Sequence, residues 1–305
     1  MKGVTLLIVV LCFHLNFVNG DSQVLESNPG AVANEMCKKY TKDIKKNNIC
    51  PVPLDTSIIR GNVAGKGEFA HMVQLAYIKN NETKYLCSGF IISKNYVLTS
   101  TQCVSGEGAD QPEFVRAGVT DEKDVTNEQI RSIHTILALL YIALIRVKED
   151  FNFNQFVTPV CLYTSNENPA GPGIHTGWRP TDIGEDKQTN MIQLFLNFDS
   201  NENCNNTLVP TEKGVLPEAI VKNKIVCAGG KTTDGCQVDS GSALQIDRKD
   251  SNEEPCMYYA VGVSSFESRA CGKKELPAAF IRISYYIKWI ENNVWPPANK
   301  RIRFF

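Results

Sequence analysis

The feature that most constrains this chain is a long succession of short strand-like runs. From Ile58 onward, stretches rich in Val, Ile, Tyr and Phe alternate with clusters of Gly, Asn, Asp and Ser. β-Branched and aromatic side chains suit a half-buried pleated surface, and the polar clusters supply turns, so the pattern reads as all-β, a sandwich or barrel. The clearest runs are Met72–Ile78, Phe90–Thr99, Ile136–Val147, Met191–Asn197 and Ala260–Phe266. The periodicity then changes. Ile283, Ile287, Ile290 and Val294 recur at spacings of three and four, which predicts a helix over about Ile283–Val294.

The compartment follows from the start of the chain and from its cysteines. Lys2, the apolar run Val4 to Phe13, and the small-residue signature of Val18 and Gly20 read as a secretory signal over residues 1–20. Of the eleven cysteines, Cys12 falls in that signal and ten remain, an even number that argues for five disulfides in a secreted chain. Zinc is the competing reading. It lacks support, because paired C-x-x-C spacing and a histidine cluster are both absent from the sequence, and no cofactor is called for. Asn81-Glu82-Thr83 and Asn205-Asn206-Thr207 are glycosylation sequons. The longest later apolar run, Ile136 to Ile145, ends at Arg146, short of the roughly 18 residues that span a bilayer, and reads as a buried strand. The net charge of −1, with both signs interspersed, gives no reason to expect nucleic acid or a membrane as partner.

Residues 21–57 are polar, carry Cys37, Cys50 and the basic stretch Lys38 to Lys46, and hold too few apolar residues for a core of their own. They read as a propeptide-like strap with a short helix near Ala33–Lys45. The main domain is placed at 58–296. A tail over 297–305 carries Lys300, Arg301 and Arg303 before Phe304 and Phe305 and reads as a frayed terminus or a contact tail.

Several segments, in order, resemble the chymotrypsin-like serine protease family over Ile58 to about Val294. They are Gly67-Glu68-Phe69-Ala70-His71-Met72; Leu86-Cys87-Ser88-Gly89-Phe90-Ile91-Ile92-Ser93, continuing Tyr96-Val97-Leu98-Thr99-Ser100-Thr101-Gln102-Cys103; Tyr141-Ile142-Ala143-Leu144-Ile145-Arg146-Val147; Pro159-Val160-Cys161; His175-Thr176-Gly177-Trp178; Ile225-Val226-Cys227-Ala228-Gly229; and Asp234 to Leu244. The arthropod proteases of the snake-like or clip type are the group most resembled, although no six-cysteine clip module is present. The resemblance implies a double six-stranded β-barrel with a C-terminal helix. It implies disulfides Cys87–Cys103, Cys204–Cys227 and Cys236–Cys271. Cys50–Cys161 resembles the bridge that ties the N-terminal segment to the body, which leaves Cys37 with Cys256, although four cysteines allow three connectivities.

The resemblance also places the catalytic positions, and there the residues depart from the chemistry. Hydrolysis in this family needs a serine, a histidine to take its proton, and a carboxylate to orient the histidine. Ser240 is present. The base position is Gln102, an amide that hydrogen-bonds a hydroxyl but takes no proton at neutral pH. The orienting position is Tyr141, and a phenol, with a reference pKa near 10, supplies no negative charge at pH 7. Loss of the base alone costs about 10⁶ in turnover in a comparable triad. Of the four histidines, His14 falls in the signal, and His71, His134 and His175 do not match the catalytic position.

Further departures surround the triad. Val238 stands at the oxyanion-hole position beside Ser240, where a glycine is usual and a β-branched residue resists positive φ. The alternative is that Val238 is tolerated in another geometry. By the resemblance, Asp234 occupies the position that gives trypsin-like enzymes their preference for Arg and Lys, yet Glu267 and Ala278 stand where the pocket walls usually carry glycines. Glu267 either fills the pocket or turns to solvent. The activation switch keeps Ile58 and Asp239, but Ser57 precedes Ile58 and offers a trypsin-like activator no site. The expectation is an uncut, zymogen-like chain with Asp239 satisfied by some other group.

These residues point to a secreted, non-catalytic serine protease homolog that binds a protein partner, which by analogy is a protease, a zymogen or a microbial surface component in an arthropod cascade of innate immunity or melanisation. The alternatives are a weak trypsin-like hydrolase using Ser240 alone, and a venom or salivary protein that keeps the scaffold for binding.

Overall fold

The computed structural model of the chain describes residues 28–50, 62–106, 110–178, 189–204, 206, 224–229, 239–248, 257–265 and 277–297. The signal, Ser57, Ile58, Asn205, Asp234, Val238, Glu267, the Cys236–Cys271 pair, Cys256 and residues 298–305 lie outside the described residues.

Fourteen described strands follow an N-terminal helix α1, Ala31–Lys46. They are β1 Asn62–Val63, β2 Met72–Lys79, β3 Glu82–Ser93, β4 Tyr96–Ser100, β5 Phe114–Ala117, β6 Gln129–Leu139, β7 Ile142–Val147, β8 Cys161–Leu162, β9 Pro172–Gly177, β10 Ile192–Asp199, β11 Ile225–Gly229, β12 Ala243–Asp247, β13 Tyr258–Ser264 and β14 Pro277–Arg282. Helix α2, Ile283–Val294, follows β14.

Two closed antiparallel rings result. The first runs β2-β3-β4-β7-β6-β5. The second runs β9-β10-β11-β14-β13-β12 and closes where β12 pairs with β9. Val73, Leu75, Ile91, Val97, Val115 and Ile145 fill the first barrel, and Leu196, Val226, Leu244, Val261 and Phe280 fill the second. A third cluster joins them: Met72, Phe90 and Leu98 of the first barrel pack with Val263 and Ile281 of the second and with Ile287 and Ile290 of α2. Closure leaves few open edges, which is how an all-β chain this long avoids edge pairing.

Turn chemistry explains where the sequence pattern held and where it slipped. Asn80 and Asn81, with φ of 53° and 62°, make the two-residue turn between β2 and β3, and Asn81 is exposed there. The run Ile136–Val147, expected as one buried strand, is instead a hairpin: β6 ends at Leu139, Leu140 and Tyr141 turn, and β7 begins at Ile142 opposite Leu139. The turn escapes a composition-based reading because Leu140 adopts φ 52° without being Gly, Asn or Asp. The run Phe90–Thr99 likewise divides, at Lys94 and Asn95, into the end of β3 and β4.

Helix α1 buries Ala33, Cys37, Tyr40 and Ile44, one stripe at helical spacing. Its first turn is capped from another element, because the buried Ala33 N–H donates to Glu291 Oε1 of α2 at 2.9 Å. That carboxylate satisfies a donor with no partner in its own helix and sits at the positive end of the helix dipole. Lys45 and Lys46 occupy the opposite end.

The disulfides of this region correct the expected pairing. Cys161 bonds Cys37, not Cys50, so neither Cys50–Cys161 nor Cys37–Cys256 forms. The reason is helical register. Cys37 faces inward between Ala33 and Tyr40 and packs with Cys161 in one small core, while Cys50 lies beyond the end of α1. Cys50 is also disulfide-bonded. Elsewhere Cys87 is bonded to Cys103 and Cys204 to Cys227.

Candidate functional site

The two barrels bring Gln102 and Ser240 together. Gln102 lies on a 3₁₀ turn, Thr101–Cys103, directly after β4, and the Cys87–Cys103 bond ties that turn to β3. Ser240 precedes β12. Its segment is held from both sides: the Ser88 N–H donates to the Ser240 carbonyl at 2.9 Å, and the Gly241 N–H donates to the Ser264 carbonyl at 2.6 Å. Gly241 has φ 84°, and a Cβ there would lie 2.1 Å from the Ser88 oxygen, so only glycine permits this approach.

The side-chain contact at this seam is weak. Ser240 Oγ donates to Gln102 Oε1 at 3.4 Å, in an exposed setting. That is longer than the roughly 2.6–3.2 Å from which a base takes a proton, and the acceptor is an amide oxygen. The arrangement can orient the hydroxyl but leaves it an ordinary alcohol.

Tyr141 enters through its backbone. Its carbonyl accepts from the Thr101 N–H at 3.1 Å and from Ser265 Oγ at 3.3 Å. The half-buried ring packs against the interbarrel core. Burial, together with the neighbouring Tyr285 and Tyr141, pushes the Tyr286 phenol up to about 12. Tyr141, Tyr285 and Tyr286 thus form a tyrosine cluster beside the interbarrel core.

Asp239 is buried, with 6% exposure, and its Oδ2 accepts from Ser88 Oγ at 2.7 Å and from the Trp178 N–H at 2.9 Å. Ser88 therefore holds both the carboxylate of Asp239 and the carbonyl of Ser240. Sequence reasoning missed this role. The available signal was its place on β3 next to Cys87, whose bridge lands beside Gln102.

Two of the described histidines are engaged elsewhere. His71 Nε2 lies 2.5 Å from Gln245 Oε1, and burial lowers its pKa to about 4. His175 Nε2 lies 2.7 Å from Ser242 Oγ, and burial lowers its pKa to about 3. Both rings are neutral at pH 7 and closed off from solvent. His134 is exposed at a bulge in β6. Of the expected pocket positions, Ala278 is on β14 opposite Ala228, and Asp234 and Glu267 lie outside the described residues, as does Val238. No group of three or more His, Cys, Asp or Glu suited to a metal occurs among the described residues.

Two closed six-stranded antiparallel barrels with a serine segment at their seam and a C-terminal helix form the trypsin-like fold. A family model described as Trypsin matches residues 58–290, and the chain belongs to that family. It is similar to Melanization protease 1 of Drosophila melanogaster, 29% identical over 78% of this chain and 65% of that protein. It is also similar to Serine protease snk of the same organism, at 27% over 79% and 57%, and to the Phenoloxidase-activating enzyme of Bombyx mori, at 27% over 80% and 62%. The chain thus spans less than two thirds of these relatives' lengths. Among solved structures, that of the Drosophila Grass clip serine protease of the Toll pathway aligns with a TM-score of 0.65 at 20% identity, over 86% of this chain and 79% of that one. No helix among the described residues is long and apolar enough to cross a membrane.

Proposed function

We propose that this chain is a secreted, non-catalytic serine protease homolog that acts by binding a protein partner in an extracellular arthropod protease cascade. The observation that carries the reading is the base position. Gln102 is the side chain that meets Ser240, at 3.4 Å, and an amide has no basicity to lend. The tyrosine at position 141 and the bonds from Ser88 and Trp178 to Asp239 support it, since a carboxylate already bonded inside the protein suits a chain that works uncut. In this reading residues 1–20 are the signal and 21–57 the strap. The 58–296 domain presents the former cleft to its partner, and Asn81 and Asn205 are glycosylated. The names of the relatives, a melanization protease and a phenoloxidase-activating enzyme, favour a melanisation cascade as the setting.

The test is covalent labelling of Ser240 with a fluorophosphonate probe alongside turnover of Arg-containing chromogenic peptides, with Ser240→Ala as control. No labelling and no turnover above that control is expected. Labelling with turnover well above the control would establish a hydrolase and overturn the reading. Restoring Gln102→His together with Tyr141→Asp is expected to recover little activity, because Val238, Glu267 and the Ser57–Ile58 bond are unchanged.

A further inference from the structure

A groove of about 680 Å³ runs between α1, the turn joining β3 to β4, the 150–153 segment and the end of α2. Its floor is apolar and incompletely covered: Met36, Ile49, Phe153, Val294 and Trp295 line it and are each only half-buried. Trp295 Nε1–H donates to the Tyr40 hydroxyl at 3.2 Å, and Phe153 packs edge-on against Tyr40, so the floor is a fixed aromatic surface. Lys39, Asp43, Lys94 and Asp150 stand exposed around the rim. Neither aspartate has an ion-pair partner among the described residues.

We propose that the basic-aromatic end of this same chain, residues 298–305, docks in the groove. The described chain leaves α2 at the groove itself, because Val294 and Trp295 line it and Pro296 and Pro297 follow. Consecutive prolines restrict φ to near −65° and carry the chain onward in extended form. Ala298 to Phe305 are eight residues, with a reach of up to about 26 Å. Ile302, Phe304 and Phe305 supply apolar side chains for the floor, and Arg301 and Arg303 supply two guanidinium groups for two carboxylates, a pairing suited to bidentate contacts. Lys39 and Lys94 leave the rim without net charge, so the attraction rests on those short contacts and on apolar burial. A short tether places the segment at an effective concentration of about a millimolar or more, so modest contacts suffice for occupancy.

The test compares the full chain with a chain ending after Pro297, using a synthetic peptide of residues 298–305. The peptide is expected to bind the shortened chain and to bind the full chain at least about tenfold more weakly, since the tether already fills the groove. Amide hydrogen exchange across α1 and 150–153 is expected to speed up on shortening. A full-length Arg301→Glu, Arg303→Glu variant is expected to show the same loss of protection. Equal binding to both chains, or none to the shortened one together with unchanged exchange, would overturn the proposal and leave the groove to a separate partner. Dimerisation of the shortened chain through this face would also overturn it, by naming a second copy as the occupant.

Discussion

The strap face and the cleft hold their polar groups in opposite ways. On the strap face the Ala33 N–H meets Glu291 at 2.9 Å in a buried setting, and Cys37–Cys161 closes the same small core. In the cleft, Ser240 and Gln102 meet at 3.4 Å in the open. A buried bond made by an otherwise unsatisfied donor contributes to stability, whereas an exposed long contact competes with water and contributes almost nothing. The loose contact between Ser240 and Gln102 therefore leaves the barrels intact, because little of the folding free energy resides there.

The largest expected effect tests what lies beneath the cleft. His71 and His175 have folded pKa values of about 4 and about 3, below the unfolded value of 6.5, because burial disfavours the imidazolium. A base depressed in the folded state contributes full stability above pH 6.5 and loses it as the pH falls toward the folded value. By pH 5 the loss is about 2 kcal/mol for each ring. The buried Glu68 carboxyl, raised mainly by burial, works in the opposite sense. Urea titrations at pH 7.5 and pH 5 should show the difference, and a His71→Gln, His175→Gln double variant should flatten it. An equally steep decline in the variant would show that other groups carry the acid sensitivity.

Next in size is the strap bond. Replacing both Cys37 and Cys161 by serine should cost about 2–4 kcal/mol and lower Tm accordingly. If Tm does not move, the strap is a passenger and the contrast between the two faces collapses. Glu291→Ala leaves the Ala33 N–H buried without its partner and should cost about 1–3 kcal/mol, with faster amide exchange confined at first to the N-terminal turns of α1. The smallest effect belongs to the cleft: Gln102→Ala and Ser240→Ala should each change stability by under about 0.5 kcal/mol in the same unfolding measurement. A larger loss from Gln102→Ala would mean that the cleft contact is structural after all.

How legible this was in the sequence varies by the range of the interaction concerned. Helix α2 follows from local periodicity and spans Ile283–Val294 as expected. The strap helix, expected near Ala33–Lys45, runs Ala31–Lys46. The hairpin at Leu140 lies hidden because Leu140 carries no turn signature, whereas the turn at Lys94 and Asn95 is signalled only by Ser93 and Asn95 within a long apolar run; in both, the partner strands supply the register. Position 102 could be named from ordered motifs, but the acceptor geometry at Ser240, the tie from Ser88 to Asp239 and the cap from Glu291 join residues more than a hundred positions apart. Spacing along a chain carries no information about such pairs. The same limit explains the mistaken cysteine pairing, since only the inward stripe of α1 decides that Cys37 meets Cys161.

That bond has a topological consequence. Cys37 and Cys161 are 124 residues apart, and every strand of the first barrel, Met72 to Val147, lies between them. The barrel that carries Gln102 is thus a covalent macrocycle. A protease that severs any one peptide bond between residues 37 and 161, including the one at Ser57, opens the ring without releasing a fragment. Scission in this stretch converts a closed loop into two chains joined by the disulfide, of the same total mass plus one water, and only reduction separates the pieces.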